Sequence, residues 1–252
     1  SLAGQGFGVA LVEKDKVLCG NLNQLKTSVW VTHLSAYLSG LVKAVNSNPR
    51  IEVLTESTLA STSGYVGNFE STVKTPRGGR AVRHGVTIIA TGASEYKPSE
   101  YLYGKDARVM TQRELESRLA EGRFSAASGA VVMIQCVGSR DDKHPYCSRV
   151  CCSEAVKNAI ELRRLSPETP IFLLYRDVRT YGFKEDLYRR AREAGVLFVR
   201  YTPEKKPEVS SDGAALRVKV FDNDLQEDVT LDAAAVVLSA GVVPNADAPD
   251  VS

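Results

Sequence analysis

The sequence predicts an α/β protein built on parallel sheets. Two observations carry that expectation. Short, wholly apolar runs such as Val9-Ala10-Leu11-Val12 and Val131-Val132-Met133-Ile134 read as strands buried on both faces. Between such runs lie stretches whose apolar residues recur at helical spacing. With 252 residues and 43% hydrophobic content, the chain buries a full core in one or two domains.

Taken in order, the elements begin with Gly4-Gln5-Gly6-Phe7-Gly8. These glycines look like a dinucleotide fingerprint, but they precede a strand. Glycines that cradle a pyrophosphate follow a strand and open a helix. The segment is read as a helix end turning into strand 9–12, which closes on Glu13. Residues 32–45 place Leu34, Leu38, Leu41, Val42 and Val45 at helical spacing. Residues 51–54 form a strand, 63–68 a turn, 69–74 a strand, and Pro76-Arg77-Gly78-Gly79 a second turn. Val86-Thr87-Ile88-Ile89-Ala90 reads as a buried strand ending at Thr91-Gly92. Residues 94–104, rich in Tyr, Pro, Ser and Gly, read as a linker. A helix near 113–120 precedes a β-α-β-α-β series: strand 131–135, helix 148–165, strand 171–175, helix 184–193 and strand 197–201. Segments 215–221 and 227–231 pair around Asp222-Asn223, and 236–241 is the last buried strand. There is no internal repeat or low-complexity tract.

Thirty-two basic against 30 acidic residues give a formal charge of +2, with no basic tract, so nucleic acid is not an expected partner. No apolar stretch approaches the roughly 20 residues of a membrane span. Ser1-Leu2-Ala3-Gly4 lacks the basic and apolar regions of a secretory signal. Clustered cysteines suit a reducing compartment, and a cytoplasmic setting is expected.

Cys136, Cys147, Cys151 and Cys152 form a C-x10-C-x3-C-C cluster, and Cys19 stands apart as a structural residue. Four nearby thiolates suit a 4Fe–4S cluster. Zinc, a redox-active disulfide and inert buried thiols are the other readings. Zinc usually takes two separated C-x2-4-C pairs, and a Cys151–Cys152 disulfide closes a strained eight-membered ring. A helix at 148–165 puts Cys147 near its start and Cys151 one turn on, on the same face. Cys152 is rotated by about 100° from Cys151, and Cys136 arrives from the strand end. A helix N-terminus favours the negative charge of such a cluster. Arg140, Arg149, Arg176 and Arg179 either stabilise that charge or solvate the surface, and His144 reads as a loop residue.

Glu13 occupies the strand-end position where an acidic residue accepts hydrogen bonds from an adenosine ribose. Ile88-Ile89-Ala90-Thr91-Gly92-Ala93 and Leu238-Ser239-Ala240-Gly241-Val242-Val243-Pro244-Asn245 are apolar runs ending in a small residue and glycine, which lets backbone approach a cofactor. Together these features resemble the two-dinucleotide-binding-domain flavoproteins that include thioredoxin reductase. In that family the chain leaves the flavin domain at the first segment and returns at the second. A nicotinamide-nucleotide domain lies between them. Here its first turn reads Gln135-Cys136-Val137-Gly138-Ser139-Arg140, with one glycine where G-x-G-x-x-G is usual. The resemblance therefore implies two Rossmann-like domains, the second inserted in the first: residues 1–106 and 232–252 for FAD, and 107–231 as a degenerate NAD(P)-type domain.

More specifically, Cys136-Val137-Gly138-Ser139-Arg140-Asp141 and Pro145-Tyr146-Cys147-Ser148-Arg149-Val150-Cys151-Cys152 resemble the iron–sulfur motif of the A-type heterodisulfide reductase polypeptides. So do Tyr175-Arg176-Asp177-Val178-Arg179-Thr180-Tyr181-Gly182, Gly64-Tyr65-Val66-Gly67-Asn68-Phe69 and Leu11-Val12-Glu13-Lys14. The resemblance implies an oxidoreductase relaying electrons between FAD and a 4Fe–4S cluster, with flavin-based bifurcation in some members. It implies as partners other heterodisulfide reductase-like subunits and hydrogenase or dehydrogenase electron-transfer subunits; a homodimer is a further possibility. Carried over by position, Cys136, Cys147, Cys151 and Cys152 ligate the cluster. Glu13, Lys14, Asn21, Thr91, Gly92, Ala93, Gly241, Pro244 and Asn245 contact FAD, and no catalytic acid or base is assigned. The family's opening strand with G-x-G-x-x-G and its ferredoxin-like insertion have no counterpart here, so the chain is expected to be a fragment truncated at both ends. Rival readings are a pyridine nucleotide–disulfide oxidoreductase using the Cys151–Cys152 pair, and a non-catalytic, metal-stapled docking domain.

Overall fold

The computed structural model describes residues 1–31, 33–126 and 129–251. Its contacts divide the chain into one unit of Ser1–Ala93 with Pro244–Ser252 and a second of Ser94–Val243. Sequence placed these crossings at 106/107 and 231/232. Residues 94–106 and 232–243 instead belong with the second unit, where Tyr96, Tyr101, Leu102 and Tyr103 pack against the core and residues 232–240 continue a long strand.

In the first unit, a short 3-10 turn at Ala3–Gln5 ends on Gly6 in the left-handed region (φ 97°) and leads into β1, Val9–Val12. The opening glycines are thus a helix-end turn, as their position before a strand predicts. Helix α1, Leu34–Asn46, buries Leu34 and Leu38; Thr32, expected to start it, lies outside the described residues. Strand β2, Ile51–Leu54, pairs with β1 in parallel, Val9 opposite Ile51. Three antiparallel strands follow as a meander: β3, Thr58–Tyr65; β4, Asn68–Thr75; and β5, Gly78–His84. Of these, only the middle strand is expected from sequence. The outer two are largely polar and exposed, so they lack the apolar alternation that marks a half-buried strand.

The expected buried strand at 86–90 is not formed. Val86, Ile88 and Ile89 are 70%, 69% and 59% exposed, and no strand is assigned there. A buried parallel strand needs a hydrogen-bonded neighbour and covered faces. The parallel sheet of this unit has only β1 and β2 among the described residues.

Strand β6, Ala93–Glu95, carries the chain out of the first unit. In the second unit, β7, Val109–Thr111, leads into α2, Gln112–Ala120. Then come β8, Ala130–Val137; α3, Cys151–Leu165; β9, Ile171–Tyr175; α4, Glu185–Glu193; and β10, Leu197–Arg200. Strands β11, Glu208–Ser211, and β12, Leu216–Asp222, precede β13, Glu227–Ala240, and β14, Val242–Pro244, pairs with β6. The sheet runs β10-β9-β8-β13-β12-β11, with β7 also on β13. Its β10, β9, β8, β13 and β7 are parallel, and β11 and β12 antiparallel. The two segments expected at 227–231 and 236–241 are one strand, because β13 pairs with β12 along its first half and with β8 and β7 along its second. Period-two alternation sends Val131 and Met133 into the layer under the helices, with Ala155, Val156 and Leu162. Val132 and Ile134 enter the opposite layer with Leu216, Val218 and Leu238. None of the described helices is long and apolar enough to cross a membrane.

Candidate functional site

The second unit gathers the four clustered cysteines. Cys136, Cys147, Cys151 and Cys152 line one small pocket with Gln135, Ser139, Arg149 and Arg179. Cys136 is the second-last residue of β8, with φ 62°, a left-handed conformation that breaks the extended run at the strand's end. Cys147 does not sit on the helix as expected, because α3 begins at Cys151. Arg149 has φ 63°, incompatible with a right-handed helix, so residues 147–150 form a separate approach. Cys147 therefore enters from a loop, and Cys151 and Cys152 from the first helical turn.

Two close approaches fix this loop. Gly138 has φ 65°, and a Cβ there would run into the Tyr96 ring. At the end of β13, a Cβ on Gly241 would lie 2.9 Å from the Gly138 carbonyl oxygen and 3.1 Å from Ser148 Oγ. The Val242 N–H also donates to Ser148 Oγ at 2.9 Å. Gly241, expected from sequence to contact the flavin, is thus packed against the cysteine loop.

All five cysteines are free thiols. Burial pushes Cys151 up to about 12, with further help from Glu154 and the neighbouring thiols. Burial also raises Cys136, against the opposing charge of Arg140, and raises Cys152 against a hydrogen bond from the Arg179 backbone. Raised, desolvated thiols are poor nucleophiles. The thiols of Cys151 and Cys152 face different carbonyls, those of Ala240 (3.4 Å) and Asp177 (3.8 Å). Neither feature suits a reactive vicinal pair. Among the described residues, no three His, Cys, Asp or Glu side chains are grouped closely enough to hold a metal ion. A cubane makes a different demand, since each of its thiolates binds a different iron.

Arg140 approaches the Cys136 sulfur at 3.9 Å while its other nitrogen donates to Asp177 at 2.7 Å. Arg176 braces the loop by donating to the Arg140 carbonyl at 2.8 Å. Partial burial would raise the Asp177 carboxyl, but Arg140 and Arg179 hold it below its ordinary value. His144 lies among aromatic rings, 5.6 Å from Tyr96 and 5.9 Å from Tyr146, outside the pocket lining.

Beside this pocket runs a buried polar chain that the sequence did not lead us to expect. Gln135 and Gln112 both reach Ser239 Oγ, at 2.8 and 3.2 Å, and Asn158 donates to Gln112 Oε1 at 2.9 Å. A signal for it exists: Gln135 and Ser239 each interrupt the end of an apolar run, on strands that pair.

In the first unit Asn21 and Asn245 hold the loop of Thr91, Gly92 and Ala93. Asn245 Nδ2 donates to the Thr91 carbonyl at 2.7 Å, and Asn21 Nδ2 donates to that of Ala93. Gly92 between them has φ 71°. Lys14 pairs with Asp247 at 3.0 Å, and the Glu13 carboxylate accepts from the Asp15 N–H at 2.9 Å. Pro244 ends β14.

No family model matches the chain. The A-type iron-sulfur polypeptide of the CoB–CoM heterodisulfide reductase of Methanocaldococcus jannaschii is 30% identical over 348 aligned positions, taking in 98% of this chain and 52% of the relative. The A-type polypeptide of the ferredoxin:CoB-CoM heterodisulfide reductase of Methanosarcina acetivorans is 36% identical over 204 positions, covering 64% and 25%. The chain spans about half the length of the relatives it matches end to end. The 348 positions exceed the chain's 252 residues, so part of the matched span of the relative has no counterpart here. Among solved structures, Lactococcus lactis thioredoxin reductase superposes on 98% of this chain and 73% of its own, with a TM-score of 0.57 and 18% identity. L-lysine 6-monooxygenase of Pseudomonas syringae superposes on 84% of this chain and 58% of its own, at 0.50 and 13%. The chain is a homologue, along nearly its whole length, of the A-type heterodisulfide reductase polypeptides, and it has the two-dinucleotide-binding-domain fold of the thioredoxin-reductase-like flavoproteins.

Proposed function

We propose that this chain is an oxidoreductase module of a heterodisulfide reductase-like complex, carrying a 4Fe–4S cluster in its second unit and FAD in its first. The supporting observation is the shared pocket of Cys136, Cys147, Cys151 and Cys152, set where a nucleotide-binding domain keeps its phosphate-binding turn. When bound, the flavin exchanges electron pairs and the cluster single electrons. The chain supplies the surroundings. Four thiols lose their protons on loading, so uptake of iron strengthens as pH rises. Arg140, Arg149 and Arg179 offset the negative charge, and Cys136 is placed by the end of β8.

For FAD, the Thr91-Gly92-Ala93 loop, held by Asn21 and Asn245, offers backbone for close approach, and Glu13, just after β1, is the proposed ribose contact. Lys14, Gly241 and Pro244 complete the proposed contacts. The relatives' names identify components of larger reductases acting with ferredoxin, hydrogen or formate. Sister subunits and a hydrogenase or dehydrogenase module are the corresponding partners proposed here. Electron bifurcation, a cytoplasmic setting and a homodimer complete the reading.

Anaerobic reconstitution tests it. The expected product holds four iron and four sulfide per chain and shows thiolate-to-iron absorbance that dithionite bleaches and Cys147→Ser abolishes. A colourless chain that binds zinc and no iron overturns the proposal.

A further inference from the structure

Gln135 carries a feature that the fold alone does not require. It is 1% exposed and lines the cysteine pocket, yet its Oε1 is a buried acceptor with no hydrogen-bond partner among the described residues. An unpaired buried amide oxygen has lost its water without replacing the hydrogen bond, which is unfavourable. The neighbouring Ser239 shows the complementary fault. Its Oγ receives N–H groups from both Gln135 and Gln112, and no described group accepts its own proton.

Both faults vanish together if the Gln135 carboxamide is turned by half a rotation, since its two ends have the same shape and differ only in hydrogen-bonding sense. Ser239 then donates to Gln135 Oε1 across the same 2.8 Å contact, and the Gln135 N–H groups take the position of the orphaned oxygen. The result is a one-way chain. Asn158 donates to Gln112, Gln112 to Ser239, Ser239 to Gln135, and Gln135 to whatever occupies the pocket. Each link is buried, and Asn158 Nδ2 also anchors on the Gln112 carbonyl at 3.0 Å. A donor at the end of such a chain calls for an electron-rich occupant.

We propose that Gln135 is a positioning residue that directs a side-chain amide N–H at the sulfur atoms of the cluster, through a relay of Asn158, Gln112 and Ser239, and so raises its reduction potential. This rests on the 4Fe–4S cluster proposed for the pocket. Hydrogen bonds to cluster sulfurs stabilise the more negative, reduced state.

The test compares potentials in the reconstituted chain, with iron content measured alongside. Gln135→Leu, with four irons retained, is expected to shift the reduced-to-oxidised ratio at least tenfold toward oxidised, about 59 mV downward for a one-electron couple. Gln135→Glu keeps the shape but presents an acceptor, and a larger drop is expected. Ser239→Ala breaks the relay one link back and gives a smaller drop. An exchangeable proton coupled to the reduced cluster by electron–nuclear double resonance should be present in the parent and absent from Gln135→Leu. Unchanged potential and coupling in a fully loaded Gln135→Leu chain overturn the relay while leaving the cluster intact. A parent chain that takes up no iron overturns the cluster and the relay with it, and the iron count tells the two failures apart.

Discussion

Val131-Val132-Met133-Ile134 and Val86-Thr87-Ile88-Ile89-Ala90 are close to interchangeable as sequence, both short, β-branched and apolar. In the second unit all four residues of the first run are fully buried. In the first unit Val86, Ile88 and Ile89 lie largely in water. The difference lies in what stands beside each run. Strand β8 has β9 on one side, β13 on the other, helices over one face and β12 side chains in the layer beneath the other. The 86–90 run has no paired strand among the described residues. An apolar run is only a capacity for burial, and hydrogen-bonding neighbours turn it into a strand.

The largest expected effect tests this contrast directly. Ile134→Ala should cost about 2–5 kcal/mol, as large-to-small core replacements do. Ile88→Ala should stay within about 0.5 kcal/mol. Urea unfolding of the two variants measures both, and equal losses would break the comparison.

A smaller effect depends on pH. Burial pushes Glu154 up to about 7, against the attraction of Lys157 and reinforced by Glu95 and Glu116. Its ordinary value is 4.5, so between about pH 4.5 and 7 the folded chain binds more protons than the unfolded one. Stability must then fall as pH rises through that window. In the cluster-free chain, Glu154→Gln should remove this slope and add about 1–3 kcal/mol at pH 8. A parent and variant with parallel stability–pH curves would show that Glu154 is more solvated than its surroundings suggest.

The smallest concerns how helices begin. In the second unit α2 opens with a capping box: Thr111 Oγ1 accepts from the Glu114 N–H, and Glu114 accepts from that of Thr111 at 2.7 Å. In the first, α1 starts at Leu34, and His33 before it makes no side-chain cap. Thr111→Ala should therefore cost about 1 kcal/mol, while His33→Ala should be near neutral. Thermal unfolding resolves the pair.

Much of the second unit was legible in sequence because its signals are strong and local. The runs at 131–134 and 171–175 and the helical spacing after Cys151 each point to one element, and each formed. The edge strands β3, β5 and β11 were not legible, since polar, exposed residues pair through backbone that composition does not report. The start of α3 was misplaced by three residues. The cause, a left-handed Arg149, is a conformation that sequence disfavours for arginine and only the surrounding loop imposes.

The sequence by itself determined the α/β alternation, the identity of four candidate cysteine donors, and the kinship to the A-type heterodisulfide reductase polypeptides, because these depend on residue type and local order. Only the tertiary structure decided that the four thiols share one pocket, that Gly241 presses on the cysteine loop, and that Gln135 and Ser239 meet across paired strands. Ser239 lies 104 positions from Gln135. Contacts at such separation are set by strand register, and register is fixed by the whole sheet and by no single segment.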